Sequence, residues 1–190
     1  MSNPQDVSIK LNLGCGTSKI PGFINIDCEE SVKPDIVHDF TKVTLPYPSG
    51  SVDQICLFHT IEHISRFHHI NIFNEIFRVL KTGAPFWMSY PEFSECYKRW
   101  STNHLGDKKF WEACMFGRQL YPSDFHVVPM HTPDLKIVLE DCGFTSIICG
   151  PEPPPNEFNT VVKCVKGSVS PKNYEDIVAE AQEEFSLVKA

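Results

Sequence analysis

The chain has 190 residues, of which 42% are hydrophobic and 22% are charged. This length is typical of one domain, and the apolar fraction is sufficient to bury a core without disulfides or metal ions as staples. The 17 basic and 24 acidic side chains leave a formal net charge of −7. We therefore do not expect a phosphate-binding surface over the whole chain, although this charge is compatible with a local basic patch.

The cysteine pattern and the lengths of the apolar runs indicate the cellular compartment of the protein. Residues 1–8 are polar and predict no secretory signal. The uncharged apolar runs are far shorter than the roughly 20 residues that cross a bilayer. None of the eight cysteines forms a C-x-x-C pair, which argues against a zinc ribbon and a disulfide framework. These features predict a reduced, cytoplasmic protein that makes no membrane contact.

Four short strands are predicted in the N-terminal half, because apolar runs alternate there with glycine, proline and polar turns. They cover residues 9–13, 23–27, 35–40 and 52–58. Gly14, Asp27, Asp39 and His59 fall at or just past the carboxyl ends of these strands. Parallel α/β sheets bind ligands at that edge, so these four residues mark the predicted site.

The C-terminal half predicts helices alternating with strands. Apolar side chains at helical spacing predict a helix over 68–81, and Thr132 as N-cap with Pro133 after it predicts another that ends at Gly143. Further strands are predicted over 86–90, 144–149 and 159–165, and an amphipathic helix over about 172–188. This alternation predicts a mostly parallel sheet with helices on both faces.

The residues at the strand ends suit a nucleoside ligand. Glycines at 14 and 16 let main chain approach a ligand, but Lys19 replaces the third glycine of the dinucleotide fingerprint. Asp27 could accept both ribose hydroxyls, and Asp39 with Phe40 could face a purine. The alternatives are a tight turn at the glycines, a turn cap at Asp27 and a solvated loop acid at Asp39.

Several motifs in order resemble the class I S-adenosylmethionine-dependent methyltransferases, especially a compact bacterial and viral branch. The motifs are Leu-Asn-Leu-Gly-Cys-Gly (11–16), Gly-Phe-Ile-Asn-Ile-Asp (22–27), Val-His-Asp-Phe (37–40), Leu-Pro-Tyr-Pro (45–48), Ser-Val-Asp (51–53), His-Thr-Ile-Glu-His-Ile (59–64) and Phe-Arg-Val-Leu-Lys-Thr-Gly (77–83). The resemblance covers residues 9–150. It implies a Rossmann-like, mostly parallel seven-stranded sheet of order 3-2-1-4-5-7-6, and S-adenosylmethionine as the cofactor.

The resemblance also implies a site. The glycine turn would pass under the methionine part of the cofactor, Asp27 would bind the ribose, and Asp39 with Phe40 the adenine. The expected cofactor contacts are Gly14, Cys15, Gly16, Asp27, Asp39, Phe40 and His59. His59 is the first candidate for a general base and His126 the second, since histidine suits proton transfer near neutral pH. The alternative for both is an imidazole that only braces a loop.

Two departures from the family pattern concern the first helix and the lid. Only residues 14–23 separate the first two strands, so the first helix should be a single turn or missing. A lid or acceptor insertion is then expected at about 91–131, within a single domain over 1–190. That segment interleaves cationic and aromatic side chains, which fits either an anionic acceptor or a helical pair with its aromatics inward.

The motif from His59 to His63 also matches H-x-x-E-H, the inverted zincin pattern. Because it directly follows an apolar strand instead of lying within a helix, we predict no metal ligand. The expected function is methyl transfer to an oxygen or nitrogen of a small or medium-sized, saccharide-like acceptor, with nucleic acid less favoured. The alternative is a catalytically inactive cofactor-binding or interaction module. Monomer and homodimer both remain open.

Overall fold

The computed structural model describes residues 8–42 and 44–168. One sheet contains seven strands in the order β3-β2-β1-β4-β5-β7-β6. The strands are Lys10–Leu13 (β1), Ile24–Asp27 (β2), Ile36–Val37 (β3), Gln54–Phe58 (β4), Pro85–Pro91 (β5), Phe144–Pro151 (β6) and Asn159–Lys166 (β7). β7 runs antiparallel to β5 and β6, and the other pairs are parallel. The predicted Rossmann-like fold and strand order are confirmed.

Four α-helices lie in the described part of the chain. They are Arg66–Val79 (α1), Phe93–Ser101 (α2), Lys108–Phe116 (α3) and Thr132–Asp141 (α4). The apolar stripe of α1 meets the sheet through ring contacts of Phe73 with Phe86 on β5 and of Phe77 with Phe144 on β6. Each fully buried phenylalanine contributes about 1.5–3 kcal/mol, so this face fixes the helix against the sheet.

Three predicted boundaries are wrong in informative ways. β3 has only two residues, because the chain turns at Asp39, whose carbonyl accepts from the Lys42 amide. α1 ends at Val79, since Leu80 is extended and pairs with Val52. Thr132 is the first residue of α4 and His131 is its N-cap.

The Thr132 hydroxyl donates to Glu92 instead of capping the helix. Pro133, predicted at the first helical position, is the second residue of α4 and still lies in its first turn. The amphipathic helix predicted at about 172–188 lies outside the described residues. Across residues 8–42 and 44–168, no helix combines the length and apolar character that a bilayer crossing requires.

Candidate functional site

A cavity of about 1360 Å³ opens at the carboxyl ends of β1, β2 and β4. It brings together every residue predicted for the site, although they come from five separate parts of the chain. These lining residues are Gly14, Cys15, Gly16, Asp27, Asp39, Phe40, His59 and His126. We call it the strand-end cavity. Its volume exceeds the roughly 300–1,000 Å³ of typical small-molecule pockets and leaves room for more than one small molecule.

The glycine turn after β1 has the backbone geometry that a close ligand contact needs. Gly14 has φ +64, and a Cβ there would stand 2.2 Å from Cγ2 of Thr60. Gly16 has φ +47, and apart from Gly16 itself and its two chain neighbours no atom of the described residues lies within 4 Å of the position of a Cβ. A side chain at 14 would collide with the protein, whereas the main chain at 16 is open. The open turn fits the cofactor that the sequence implies.

Buried asparagines hold the 14–23 segment in place of a helix, which is absent there as predicted. The Asn25 side-chain oxygen accepts from the Ile20 amide at 2.8 Å and from the Asn12 side chain at 3.0 Å. The Asn25 amide group donates to Asp35 at 2.8 Å, and Asn12 donates to the Ser18 carbonyl at 3.1 Å. The sequence analysis gave neither asparagine a role, because each reads as an ordinary strand residue.

Asp27 lies at the end of β2 and contacts the glycine turn directly. Its Oδ2 accepts from the Gly16 amide at 2.8 Å, and its Oδ1 from the Glu29 amide at 2.9 Å. A carboxylate has about four acceptor positions, so both oxygens can still accept from ribose hydroxyls. Asp27 therefore caps the turn, as the alternative interpretation expects, and its remaining acceptor positions stay available to a ligand.

Asp39 is engaged by its own loop. Its Oδ1 accepts from the Thr41 amide at 3.1 Å, and its Oδ2 lies 2.8 Å from Nζ of Lys42. Burial alone would raise the pKa of Asp39, but the Lys42 and Thr41 hydrogen bonds outweigh it and lower the pKa. The neighbouring Phe40 ring is half-buried against the core and lines the strand-end cavity. A purine would meet an ionised carboxylate and an aromatic face here.

His59 follows β4 in a strained conformation. Its φ is +48, a region that non-glycine residues seldom occupy outside constrained sites. Its Nδ1 lies 3.5 Å from Oε1 of Glu62 and its Nε2 lies 3.6 Å from Oε1 of Glu152. Burial lowers the pKa of His59, but the two carboxylates more than offset this and raise it. Glu152 comes from the loop before β7, and the sequence analysis did not connect it with the site.

Glu62, His63 and His126 form a cluster beside His59. Glu62 and His63 lie in a 3₁₀ turn, Ile61–His63, which ends before α1 because Ile64 is extended. The side-chain ligand atoms of the three residues all lie within 4.8 Å of one another. His126, predicted as a base, thus sits against the motif that follows β4.

The segment after β5 forms the outer wall of the strand-end cavity. α2 and α3 pack together around Trp111, which is 1% exposed, while Lys108 lies over the Trp100 ring on the outside. This arrangement is a helical pair, but its aromatics are only partly inward as expected, because Tyr97, Phe110 and Phe116 are exposed. Its cavity-lining residues are Ala113, Arg118, Tyr121, Ser123 and Asp124. A separate, mainly apolar pocket of about 640 Å³ lies between α2 and α3.

Residues 16–88 match the family described as methyltransferase domain. No curated protein matches the sequence. A solved S-adenosylmethionine-dependent methyltransferase from Archaeoglobus fulgidus is 15% identical, with a TM-score of 0.60 over 84% of this chain and 86% of that one. One from Methanosarcina mazei is 18% identical, with a TM-score of 0.59 over 86% and 94%.

A third neighbour is phosphoethanolamine N-methyltransferase 2 from Haemonchus contortus, solved with S-adenosyl-L-methionine. It is 11% identical, with a TM-score of 0.53 over 87% of this chain and 50% of that one. At these identities the structures establish the fold, and the family match over residues 16–88 adds the sequence signature. Both findings agree with the resemblance stated from the motifs.

Proposed function

We propose that the chain is a class I S-adenosylmethionine-dependent methyltransferase and that it methylates an oxygen or nitrogen of a small or medium-sized polar acceptor. The observation that carries this is the composition of the strand-end cavity. It is lined by the glycine turn and Asp27, which we call its inner part, and by His59 and His126, which we call its outer part. Cofactor and acceptor sides therefore meet in one space.

The inner part binds the cofactor in this proposal. The open backbone at Gly16 contacts the methionine portion, and the Asp27 oxygens accept from the ribose hydroxyls. Asp39 and the Phe40 ring bound the adenine. Bound S-adenosylmethionine supplies a methyl group activated by its positively charged sulfur. Because the Gly16 amide also bonds Asp27, the turn and the ribose-binding carboxylate are positioned together.

His59 is the proposed base. The acceptor atom attacks the methyl carbon, the carbon–sulfur bond breaks with its electron pair on sulfur, and the acceptor's proton passes to the imidazole. Glu62 and Glu152 flank the two ring nitrogens and stabilise the imidazolium that forms. A base in this position contributes about 10²–10⁴ in rate. The strained backbone at His59 is consistent with a position held for chemistry rather than for stability.

The outer wall defines the acceptor class. Arg118 pairs with Asp124 at 3.1 Å, and Tyr121 adds an exposed aromatic ring beside them. Polar groups beside an aromatic face suit a hydroxyl-rich, saccharide-like molecule more than an apolar one. We propose that residues 91–131 act as the lid of this single domain, since they supply this wall and would shield the reacting atoms from water.

Two measurements test the proposal. Calorimetry with S-adenosylhomocysteine should show one binding site per chain, and a tritiated-methyl assay on fractionated cell extract should label a small-molecule fraction. Binding without transfer to any fraction would contradict the enzymatic proposal and favour an inactive cofactor-binding module. Labelling confined to nucleic acid would contradict the proposed acceptor class alone.

A further inference from the structure

The Glu62 carboxylate is buried without adequate partners. The residue is 1% exposed, and neither side-chain oxygen accepts a hydrogen bond from the described residues. Its ion-pair partner in that part of the chain is His59, whose Nδ1 stands 3.5 Å from Oε1. That imidazole is 43% exposed and also faces Glu152. Burying a carboxylate costs several kcal/mol unless a cation or several donors meet it, so the site is short of positive charge.

Two imidazoles next to this carboxylate each present a free nitrogen lone pair. Nδ1 of His63 lies 3.0 Å from the Phe125 carbonyl oxygen, and Nδ1 of His126 lies 3.1 Å from the Cys114 carbonyl oxygen. A carbonyl can only accept, so both Nδ1 atoms carry hydrogen, and in the neutral ring Nε2 is left with its lone pair. Histidines that bind metals are held in this way, with the other ring nitrogen donating to a carbonyl or carboxylate.

Main-chain contacts fix the three side chains relative to one another. The Glu62 carbonyl accepts from the Val127 amide at 2.8 Å, which joins the 3₁₀ turn to the segment that carries His126. The His63 and His126 rings meet edge to face with centroids 4.7 Å apart. Nitrogen and oxygen ligands at about 2.0–2.2 Å from a metal ion lie within about 4.4 Å of one another. One ligand atom from each of the three side chains lies within 4.8 Å of the others, close to that limit.

We propose that Glu62, His63 and His126 bind a first-row divalent transition-metal ion at the acceptor end of the strand-end cavity. Two imidazoles and one carboxylate suit Zn²⁺, Fe²⁺ or Mn²⁺ better than Mg²⁺, which prefers oxygen ligands alone. Three protein ligands leave coordination positions open, as in catalytic sites. The bound ion supplies the positive charge that the buried Glu62 carboxylate lacks as a partner.

The consequence for the acceptor rests on the proposed function. A hydroxyl oxygen bound at an open position is oriented by the ion and loses its proton more readily, while His59 accepts that proton. The site then selects an oxygen acceptor over an amine. The sequence analysis expected no metal, because it tested a pairing of His59 with His63 at helical spacing. The fold places His126 in the set and leaves His59 outside it.

The test uses full-length protein treated with a chelator and then titrated with Zn²⁺ and with Mn²⁺ by calorimetry. Wild type should bind one ion, and His126→Ala and Glu62→Gln should each weaken binding by at least about tenfold, or about 1.4 kcal/mol. His68→Ala is the matched control, since His68 lines the same cavity outside the cluster. Cys28→Ser controls for the exposed Cys28 thiol as an adventitious ligand. Both controls should leave the affinity unchanged.

Co²⁺ in place of Zn²⁺ gives a readout that does not depend on activity, because its visible absorption reports the ligand set. The band should disappear in His126→Ala and persist in His68→Ala. Wild type that binds neither Zn²⁺ nor Mn²⁺ would overturn the proposal, as would Zn²⁺ binding lost in Cys28→Ser and retained in His126→Ala. S-adenosylhomocysteine binding is measured on the same samples, and its absence in wild type would contradict the proposed function while leaving the metal result to stand.

Discussion

Replacing Gly14 by alanine should destabilise the fold through two separate effects. An alanine at φ +64 is strained by about 1–2 kcal/mol. Its Cβ would also stand 2.2 Å from Cγ2 and 2.4 Å from Oγ1 of Thr60. Thr60 is not free to move away, because its hydroxyl donates to the Phe58 carbonyl at 2.9 Å. Overpacking of this kind costs about 1–3 kcal/mol, so we expect a loss of about 2–5 kcal/mol in all.

Urea denaturation of the ligand-free protein measures this loss, and Gly16→Ala is the matched control. Gly16 also has positive φ, but beyond its chain neighbours no described atom lies within 4 Å of a Cβ there, so only the strain of about 1–2 kcal/mol is expected. Gly14→Ala/Thr60→Ala removes the two closest contacts but leaves the Cβ of residue 60 at 2.9 Å. It should therefore recover part of the collision cost of about 1–3 kcal/mol, relative to the sum of the single variants. Equal losses for the two glycine variants, or no recovery in the double variant, would refute this account. Gly16→Ala should in addition weaken S-adenosylhomocysteine binding at least about tenfold.

Three further substitutions test the site. Asp27→Asn keeps an oxygen acceptor for the turn but loses the charge, so S-adenosylhomocysteine affinity should fall about tenfold in calorimetry with stability unchanged within about 1 kcal/mol. The control Asp134→Asn, exposed on α4 and outside the strand-end cavity, should bind normally, and equal affinities of the two variants would exclude Asp27 from the site. Asparagine adopts the left-handed backbone readily, so His59→Asn should keep the loop conformation. It should lower methyl transfer about 10²–10⁴-fold and leave cofactor affinity within about threefold. Unchanged turnover would mean that the base lies elsewhere. Asn25→Ala should lower the free energy of unfolding, measured in urea, by about 2–4 kcal/mol, because several buried groups lose their hydrogen-bond partner. A loss below about 1 kcal/mol would show that the 14–23 segment is held by other contacts.

The strand ends were predictable because they depend on local sequence. Apolar alternation that stops at a glycine or an acid marks where a strand leaves the sheet, and parallel strands share one edge. Gly14, Asp27, Asp39 and His59 therefore lie on one cavity as expected. The sheet order required the family resemblance, since local patterning does not tell which strands become neighbours. The length of β3 and the end of α1 depended on pairings with other segments.

The partners of the site residues were not predictable in this way. Glu152 lies in the loop before β7 and contacts His59. His126 lies beside Glu62 and His63 because the amide of the next residue, Val127, donates to the Glu62 carbonyl. No spacing in the sequence encodes these contacts. Asn25 is a different case: a polar residue at the centre of a strand, just after a segment too short for a helix, was a signal that the loop needed an internal anchor.

The most direct test of the central claim is a crystal structure with bound S-adenosylhomocysteine. The account predicts the ligand in the strand-end cavity, with its ribose hydroxyls on Asp27, its adenine beside Phe40 and its amino-acid portion over residues 14–16. Ligand found instead in the apolar pocket between α2 and α3, or a strand-end cavity without ligand at saturating concentration, would contradict it.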